Sequence, residues 1–406
     1  MRSKTGSGMV TNLLFCLLLV LCMVGGSFLL AGSAMAKDEI LIGIASSKSG
    51  WAEAYDMPAV NAAMIKIEEI NKAGGLLGKK LQTIFVDTKS SREESAKAGA
   101  KLVDAGVDMM IVNCDYNQGA PAAFAAQNAG IISFFSCAED VKAGIEGVGK
   151  YAFSGSILAA TQGATMAEWS YKKRGVRKVY LLIDTSIDYS KSVGYGFEWM
   201  FNNLPGTEIV KDTFKNDDPS IASQVTKIRN MSKDLDAIMI CSYNPGASSA
   251  IKQIRGGGID TMIMNPSSMD GNYWIAARDL KNVFLPVQGS IHGDDPNPKV
   301  EQFNIDFEKS YGHRPTSCYA YPGYILMDLW SKAVIKAGTT ESDAVLEELE
   351  KFRNEETIFG PRTYTSELHH QNQVRLLIME IADSKFKRVD QWTISEPVPK
   401  SVLFGK

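Results

Sequence analysis

The chain has 406 residues, 45% of them hydrophobic, and its 43 lysines and arginines against 46 aspartates and glutamates give a formal net charge of −3. This balance gives no electrostatic footprint for nucleic acid, so we exclude a nucleic-acid partner. The length is sufficient for two domains of ordinary size.

The first 36 residues have the pattern of a secretory signal peptide. Two cations precede an apolar run over 13–30, and the small-residue spacing of a cleavage site ends at Ala36. A retained membrane anchor is the alternative for a run of this length, but the small residues and the polar junction after them favour cleavage after Ala36. Cleavage removes two positive charges and no negative charge, so the formal charge becomes about −5. We expect an exported, soluble product.

The mature chain is predicted to begin with a strand, a loop and a helix. The segment "EILIGIA" is apolar and β-branched, as in a buried strand, and "SSKSGWAEAYD" after it has the composition of a loop. Apolar residues then recur at helical spacing, at Val60, Met64, Ile67 and Ile70. The pattern stops at the glycine pair 74–75, which is a natural helix end.

Strands and helices continue to alternate in two series. The first has predicted strands over 80–87, 107–113 and 131–136, a helix opened by Ser91 and a helix over 119–129. The second follows "YAFSGS" and has predicted strands over 178–185, 207–214, 236–242 and 261–266, with helices over 158–174, 189–203, 219–232 and 247–256. Apolar strands separated by amphipathic helices are typical of parallel sheets covered on both faces. The fold class is therefore predicted to be α/β, with two doubly wound parallel-sheet lobes.

The tail breaks this alternation. A strand-like segment over 282–290 precedes helices near 298–311, 319–337 and 341–352 and strand-like pieces over 374–382 and 386–394. No low-complexity linker separates the two series, so the chain is predicted to cross between lobes on short ordered segments near 154–156, near 288–290 and after Gly360. Lobe 1 then comprises 37–155 and 289–362, and lobe 2 comprises 156–288 and 363–406.

The sequence lacks the common catalytic and cofactor motifs. The segment "GIEGVGKY" approximates a phosphate loop, but Tyr151 stands where a Ser or Thr must reach the metal, so we predict a turn. The four histidines form no H-E-x-x-H motif, and the adjacent pair His369 and His370 is predicted to lie in a solvated loop. No serine of the mature chain lies in a nucleophile elbow. We therefore predict no metal, no cofactor and no enzymatic activity; an exported hydrolase would need an unrecognised triad.

Four cysteines follow the predicted cleavage site, at 114, 137, 241 and 318. None belongs to a C-x-x-C pair, which argues against a zinc or thioredoxin-type site. An oxidising compartment permits a disulfide. If the strands that end near Cys114 and Cys137 are neighbours, these two can pair; the alternative is free, buried thiols.

Six loops that follow predicted strands are rich in hydroxyl, amide and aromatic side chains: "SSKSGWAEAYD", "NCDYNQGA", "SCAED", "TSIDYS", "SYNPGA" and "NPSSMDGN". In doubly wound domains, ligands bind outside the carboxyl ends of the strands, where loops present side chains and helix N-termini offer free N–H groups. The ligand-capable residues are thus concentrated where this fold exposes them to a cleft.

Five segments of the mature chain match the pattern of a known family: "ILIGIASSKSG", "INKAGGLLGKKLQTIFVDTKS", "SIDYSKS", "DAIMICSYNPGASSAIKQIRGGGI" and "ETIFGPRTY". Through these segments the mature chain resembles the periplasmic leucine/isoleucine/valine-binding proteins of ABC transporters. The resemblance implies a type I periplasmic binding protein fold, in which two lobes joined by three crossovers close around a solute. It also implies a monomeric periplasmic receptor that delivers a small polar solute to a membrane ABC permease. A ligand-sensing partner of a signalling receptor is the alternative with the same fold.

Candidate ligand-binding residues follow from the predicted loops and the resemblance. They are Ser49, Trp51, Tyr55, Asp115, Tyr116, Asn117, Ser136, Cys137, Tyr189, Tyr243, Asn244, Ser267, Ser268 and Asp270. The resemblance implies that Tyr55 covers the ligand from the first lobe and Tyr189 from the second. Either Tyr243 or Asn244 matches the next position of the second lobe.

The expected carboxylate site matches the family only in part. Ser136 and Cys137 fit one of the two loops that hold a ligand carboxylate, but 115–117 replaces the serines of the other loop with Asp, Tyr and Asn. A desolvated Asp115 beside a ligand carboxylate would repel it by several kcal/mol. Either Asp115 faces away, or the ligand is not a simple α-amino acid.

The expected anchor for an α-amino group is also altered. Ser267 and Ser268 occupy the positions nearest to the acidic residue of the family, and Asp270 follows two or three residues later. Several aromatic residues lie near the predicted cleft, and aromatic faces suit planar or cationic solutes. Branched-chain amino acids, amides, aromatic acids and cationic amines therefore remain open as ligands.

Overall fold

The computed structural model describes residues 39–271, 274–275 and 280–404, and the predicted signal peptide lies outside this part of the chain. Within it, α-helices flank two β-sheets. No helix in these ranges combines the length and the apolar character needed to cross a membrane.

The first sheet contains five parallel strands in the order β2-β1-β3-β4-β5. Its strands are β1 Glu39–Ser46, β2 Lys80–Asp87, β3 Met109–Val112, β4 Ser133–Phe135 and β5 Ala152–Ser154, and its helices are α1 Glu53–Lys72, α2 Arg92–Asp104 and α3 Tyr116–Asn128. Every residue of β3 is buried, as expected for a strand covered on both faces. The predicted start of α2 is confirmed, because the Ser91 hydroxyl accepts a hydrogen bond from the Glu94 N–H at 3.4 Å.

The second sheet contains seven strands in the order β12-β11-β10-β9-β8-β6-β7. Its strands are β6 Lys178–Asp184, β7 Glu208–Phe214, β8 Ala237–Cys241, β9 Met262–Met264, β10 Val283–Val287, β11 Leu376–Ala382 and β12 Lys385–Trp392. The helices of this part are α4 Ala159–Arg174, α5 Asp188–Asn202, α6 Ala222–Met231, α7 Gly246–Gly256 and the short 3-10 helix Ser267–Met269. Strands β6 to β10 pair in parallel.

The last two strands run in alternating directions. β11 pairs antiparallel with β10, and β12 pairs antiparallel with β11. Only Asp383 and Ser384 connect β11 to β12, and both have positive φ, at 50° and 59°. A two-residue connection forms a hairpin and is too short to bring a strand back in parallel.

The helices between β10 and β11 cover the first sheet. They are α8 Pro298–Tyr311, α9 Ala320–Ala337 and α10 Ser342–Leu349, and the short α11 Lys400–Leu403 follows β12. Helix α9 packs against α1 and against α10. The chain therefore passes between the two sheet layers three times, after β5, after β10 and before β11, and the predicted α/β fold with two sheets and three crossovers is confirmed.

One buried arginine connects the three passages. The guanidinium of Arg362 donates to Gly155 O at 3.3 Å, to Gln288 Oε1 at 3.2 Å and to Pro361 O at 3.0 Å. Arg362 is 2% exposed, and burial lowers its pKa to about 10. These acceptors lie on the first, second and third passages in turn.

The prediction of a solvated loop at 369–370 is wrong, because both histidines are buried. The His369 ring stacks on Phe153 with centroids 3.7 Å apart, and its Nδ1 lies 2.8 Å from Ala152 O. Burial lowers the pKa of His369 to about 4 and that of His370 to about 3. The third passage lies against β5 and removes the pair from solvent, which the local sequence does not reveal.

Candidate functional site

The candidate site is a cleft between loops that follow strands of both sheets. In the first sheet the strand order reverses between β1 and β3, and in the second between β6 and β8. The loops at such reversals diverge and leave a crevice at the carboxyl ends of the strands. Here the loops of the two sheets face each other across about 460 Å³ of space.

The structure brings eight of the predicted residues together on the cleft wall: Trp51, Tyr55, Asp115, Tyr116, Cys137, Tyr189, Tyr243 and Ser268. Seven further residues line the same space: Ala52, Asp56, Cys114, Glu139, Asp140, Ile187 and Tyr319. Glu139 and Asp140 belong to the predicted loop "SCAED", but these two residues are not among the predicted ligand-binding residues. Tyr319 precedes α9 and lies far along the sequence from the predicted loops, so no sequence pattern indicates that it lines the cleft.

The other six predicted residues do not line the cleft. Ser49 is exposed and its hydroxyl donates to Asp87 Oδ2 at 2.9 Å. The Asn117 carboxamide oxygen accepts from the Asp188 N–H at 3.3 Å. The remaining four contact neighbouring protein groups instead of the open space: Ser136, Asn244, Ser267 and Asp270.

Of the two alternatives left open for Cys114 and Cys137, the structure has the disulfide. Strands β3 and β4 are neighbours, and the two cysteines follow their ends with Cα atoms 4.4 Å apart and a disulfide between them. Both sulfur-bearing residues lie on the cleft wall. Cys241 and Cys318 are free and buried.

Aromatic rings form much of the cleft wall. The rings of Trp51 and Tyr243 lie 5.4 Å apart, and those of Tyr55 and Tyr319 lie 5.7 Å apart in an edge-on arrangement. Trp51 and Tyr55 come from the first sheet's side, whereas Tyr243 follows β8 of the second. The Tyr55 hydroxyl also accepts a hydrogen bond from Asn244 N at 3.1 Å. The two sides are therefore in direct contact.

Glu139 is a buried carboxyl of the cleft with several hydrogen-bond donors around it. It is 5% exposed and accepts hydrogen bonds from Tyr319 OH at 2.9 Å and from the hydroxyls of Ser156 and Ser267 at 3.2 Å. Burial raises its pKa to about 7, although these hydrogen bonds oppose the shift. The hydrogen bond from Ser267, which follows β9, is a further contact between the two sides.

Asp115 lies at the N-terminus of α3. Its Oδ1 accepts a hydrogen bond from the Gln118 N–H at 3.0 Å, so the side chain caps the helix. Desolvation, reinforced by the negative charges of Asp140, Asp56 and Asp188, raises its pKa to about 7. Residues 115–117 replace the serines that the family has in this loop; of these three, Asp115 and Tyr116 line the cleft and Asn117 does not.

Asp56 organises two of the cleft loops. Its carboxyl accepts hydrogen bonds from the backbone N–H groups of Ser47 at 2.6 Å and Cys114 at 2.7 Å, and also from the Asn113 side chain. Burial raises its pKa to about 6. Because these partners follow β1 and β3, Asp56 fixes the loops on both sides of the strand reversal.

The cleft carries acidic groups without basic ones. Four carboxyls line it, at Asp56, Asp115, Glu139 and Asp140, and none of the described lining residues is Lys, Arg or His. Lys142 is close, with Nζ 6.0 Å from the Tyr116 ring centroid, but it pairs with Asp188 at 2.9 Å. Within the described ranges, no group of three His, Cys, Asp or Glu side chains is placed to hold a metal ion.

Comparisons with known proteins agree with this architecture. A family model described as periplasmic binding protein matches residues 39–385. The leucine-, isoleucine-, valine-, threonine- and alanine-binding protein of Pseudomonas aeruginosa is 22% identical over 321 residues, which cover 79% of this chain and 84% of the relative.

Two solved structures have the same fold. The branched-chain amino acid transporter substrate-binding protein LivJ of Streptococcus pneumoniae, in complex with isoleucine, matches with a TM-score of 0.78 at 25% identity, covering 87% of this chain and 99% of that one. A solute-binding protein of an ABC transporter from Rhodopseudomonas palustris, in complex with 3,4-dihydroxybenzoic acid, matches with a TM-score of 0.74 at 20% identity, covering 89% and 99%. The predicted resemblance is confirmed: the chain belongs to the periplasmic binding protein family.

Proposed function

We propose that the protein is an extracytoplasmic receptor that captures a small polar solute in the cleft by hinge closure and delivers it to a membrane ABC permease. The observation that carries this proposal is the meeting of loops from both sheets around one space, with direct contacts such as Asn244 N to Tyr55 OH across it. Closure excludes water, which strengthens the polar contacts to a bound solute.

Membership of the family supports the further parts of the proposal. We propose that the chain is cleaved after Ala36 and acts in the periplasm as a monomer, and that it has no catalytic activity. The lobes comprise 37–155 with 289–362 and 156–288 with 363–406, with the three passages as hinge. The named relatives bind leucine, isoleucine, valine, threonine and alanine, or are in complex with isoleucine or 3,4-dihydroxybenzoic acid. This supports an amino acid or an aromatic acid as the class of solute to test first, and we add an amide because the expected carboxylate and amine sites are altered.

Calorimetry combined with X-ray scattering tests this function. The mature protein is titrated with branched-chain amino acids, short amides, aromatic acids and organic amines, and its radius of gyration is compared with and without the solute that binds. We expect one class to bind with release or uptake of heat and to compact the protein. Binding without turnover supports a receptor, and no heat and no compaction across the panel would contradict the proposal.

A matched pair of variants tests the position of the site. Trp51→Ala removes an aromatic ring of the cleft wall that lies 5.4 Å from Tyr243, and we expect it to weaken binding about tenfold. Ile335→Ala is the control, because Ile335 is an apolar side chain on α9 that is 62% exposed and outside the cleft. Equal affinities of the two variants would place the site elsewhere.

A further inference from the structure

We infer that the solute is a small organic cation, with an ammonium group held between the aromatic rings and carboxyls of the cleft, rather than a carboxylic acid. This inference rests on the proposed receptor function and specifies its ligand. It departs from the solutes named for the two solved relatives, isoleucine and 3,4-dihydroxybenzoic acid, which both carry a carboxyl group.

The first argument is the charge of the wall. A ligand carboxylate is stabilised best by cationic side chains, and otherwise by N–H and O–H donors; the described lining offers hydroxyls but no cationic side chain, and it holds four carboxyls. Lys142 is occupied by Asp188 outside the cleft. A ligand carboxylate in this desolvated space would be repelled by the ionised forms of Asp115 and Glu139, whereas an ammonium group would be attracted to both.

The second argument is the way in which the N-terminus of α3 is capped. A helix N-terminus facing a cleft favours an anion, because its first N–H groups lack partners. Here the chain supplies that anion itself, since Asp115 caps α3 by accepting from the Gln118 N–H at 3.0 Å. A ligand carboxylate would compete with Asp115 for this position.

The third argument is the arrangement of the rings. Trp51, Tyr55, Tyr243 and Tyr319 form a contiguous aromatic wall, with successive ring centroids 5.4 to 6.4 Å apart. Tyr116 and Tyr189 complete the aromatic lining. Aromatic faces attract cations through the ring quadrupole, and several rings around one space form a cage for alkylated ammonium groups. The carboxyls and the rings line the same space, so one ligand group can contact both.

Calorimetry with paired probes tests the inference. Choline is compared with 3,3-dimethylbutan-1-ol, which has the same shape without the charge, and leucinamide is compared with 4-methylpentanamide, which lacks the ammonium group. Leucine and benzoate are the carboxylate probes. We expect at least one cation to bind at least about tenfold more tightly than its neutral partner and than both carboxylates.

Variants test the role of the carboxyls. Asp115→Asn removes the charge and keeps a side chain that caps helices equally well, so folding is preserved. We expect it to weaken binding of the preferred cation about tenfold while the unfolding temperature stays close to that of the wild type. Glu347→Gln is the control. It removes the same charge, and the Glu347 side chain on α10 is 71% exposed and lies outside the cleft. An unchanged affinity in Asp115→Asn with intact folding would overturn the inference.

The outcomes separate the ligand class from the receptor function. If leucine or benzoate binds and compacts the protein while both cations fail, the inference is overturned and the receptor function stands. If a cation binds without compaction, the ligand class stands and hinge closure fails. If the neutral partners bind as tightly as the cations, shape alone is recognised and the inference is overturned.

Discussion

Glu139 shows how burial converts a single carboxyl into a pH-dependent element of stability. Its pKa is about 7 in the folded protein against an ordinary value of 4.5, so the folded state binds more protons than the unfolded state between these values. Stability from this group is therefore fully present below about pH 4.5 and is lost as the pH rises through about 7.

This shift predicts a pH-dependent effect of Glu139→Gln. The neutral amide does not ionise, so relative to the wild type the variant should gain roughly 2 kcal/mol of unfolding free energy between pH 5 and pH 8. Urea unfolding of both proteins without ligand at the two pH values measures the difference. A variant whose stability differs from the wild type by the same amount at both pH values would show that the Glu139 carboxyl does not titrate in this window.

The contribution of the Tyr55 hydroxyl to solute binding can be measured by removing that hydroxyl alone. It accepts the Asn244 N–H at 3.1 Å across the cleft, so Tyr55→Phe should disfavour the closed form and raise the dissociation constant about fivefold, equivalent to about 1 kcal/mol. Calorimetry with the solute that binds measures this change. Tyr195→Phe is the control, because Tyr195 is 44% exposed on α5; equal affinities in both variants would argue against a role for this hydrogen bond.

At the scale of elements, helices α4 and α5 pack so closely that a glycine is required between them. A Cβ on Gly196 would overlap the Ala160 carbonyl, whereas a Cβ on Gly256 at the end of α7 meets no atom within 4 Å. Gly196→Ala should therefore lower the free energy of unfolding by about 2 kcal/mol. Gly256→Ala should leave it unchanged or raise it by up to about 1 kcal/mol. Urea unfolding of both variants tests the packing, and similar stabilities would contradict it.

The elements that the sequence predicted well are those whose pattern is local. The apolar runs of β1, β3 and β8 and the Ser91 cap of α2 depend on neighbouring residues. The predicted loops ended too late in the chain, because α1 begins at Glu53 and α3 at Tyr116, so Tyr55 and Tyr116 lie in first helical turns. Helix ends depend on capping geometry, which composition specifies less sharply.

The site was less predictable, because it depends on contacts between distant segments. The loops were identified, but the orientation of Ser49 towards Asp87 depends on a residue 38 positions away. Tyr319 joins the cleft only through the packing of the helix that it precedes, 180 positions after Glu139. Loop composition indicates where a cleft lies, whereas the side chains that face it are determined by tertiary packing.

At the scale of the whole molecule, the connections between the sheets depend on Arg362. Arg362→Lys should lower the free energy of unfolding by about 3 kcal/mol, because a compact ammonium group cannot reach acceptors on three segments and leaves buried carbonyls without donors. Thermal and urea unfolding measure the loss. Arg229→Lys is the control, since Arg229 is exposed and donates to Gly257 O at the surface. Equal stabilities would mean that the passages hold together without the guanidinium.

The same guanidinium limits how the two halves can move. Gly155, Gln288 and Pro361 all accept hydrogen bonds from one rigid, planar group, so a twist or slide of one passage alone would break some of these bonds. We therefore expect the two halves to move relative to each other by bending near Arg362. A receptor that bends at this point would open its cleft in the same way for each solute that it releases.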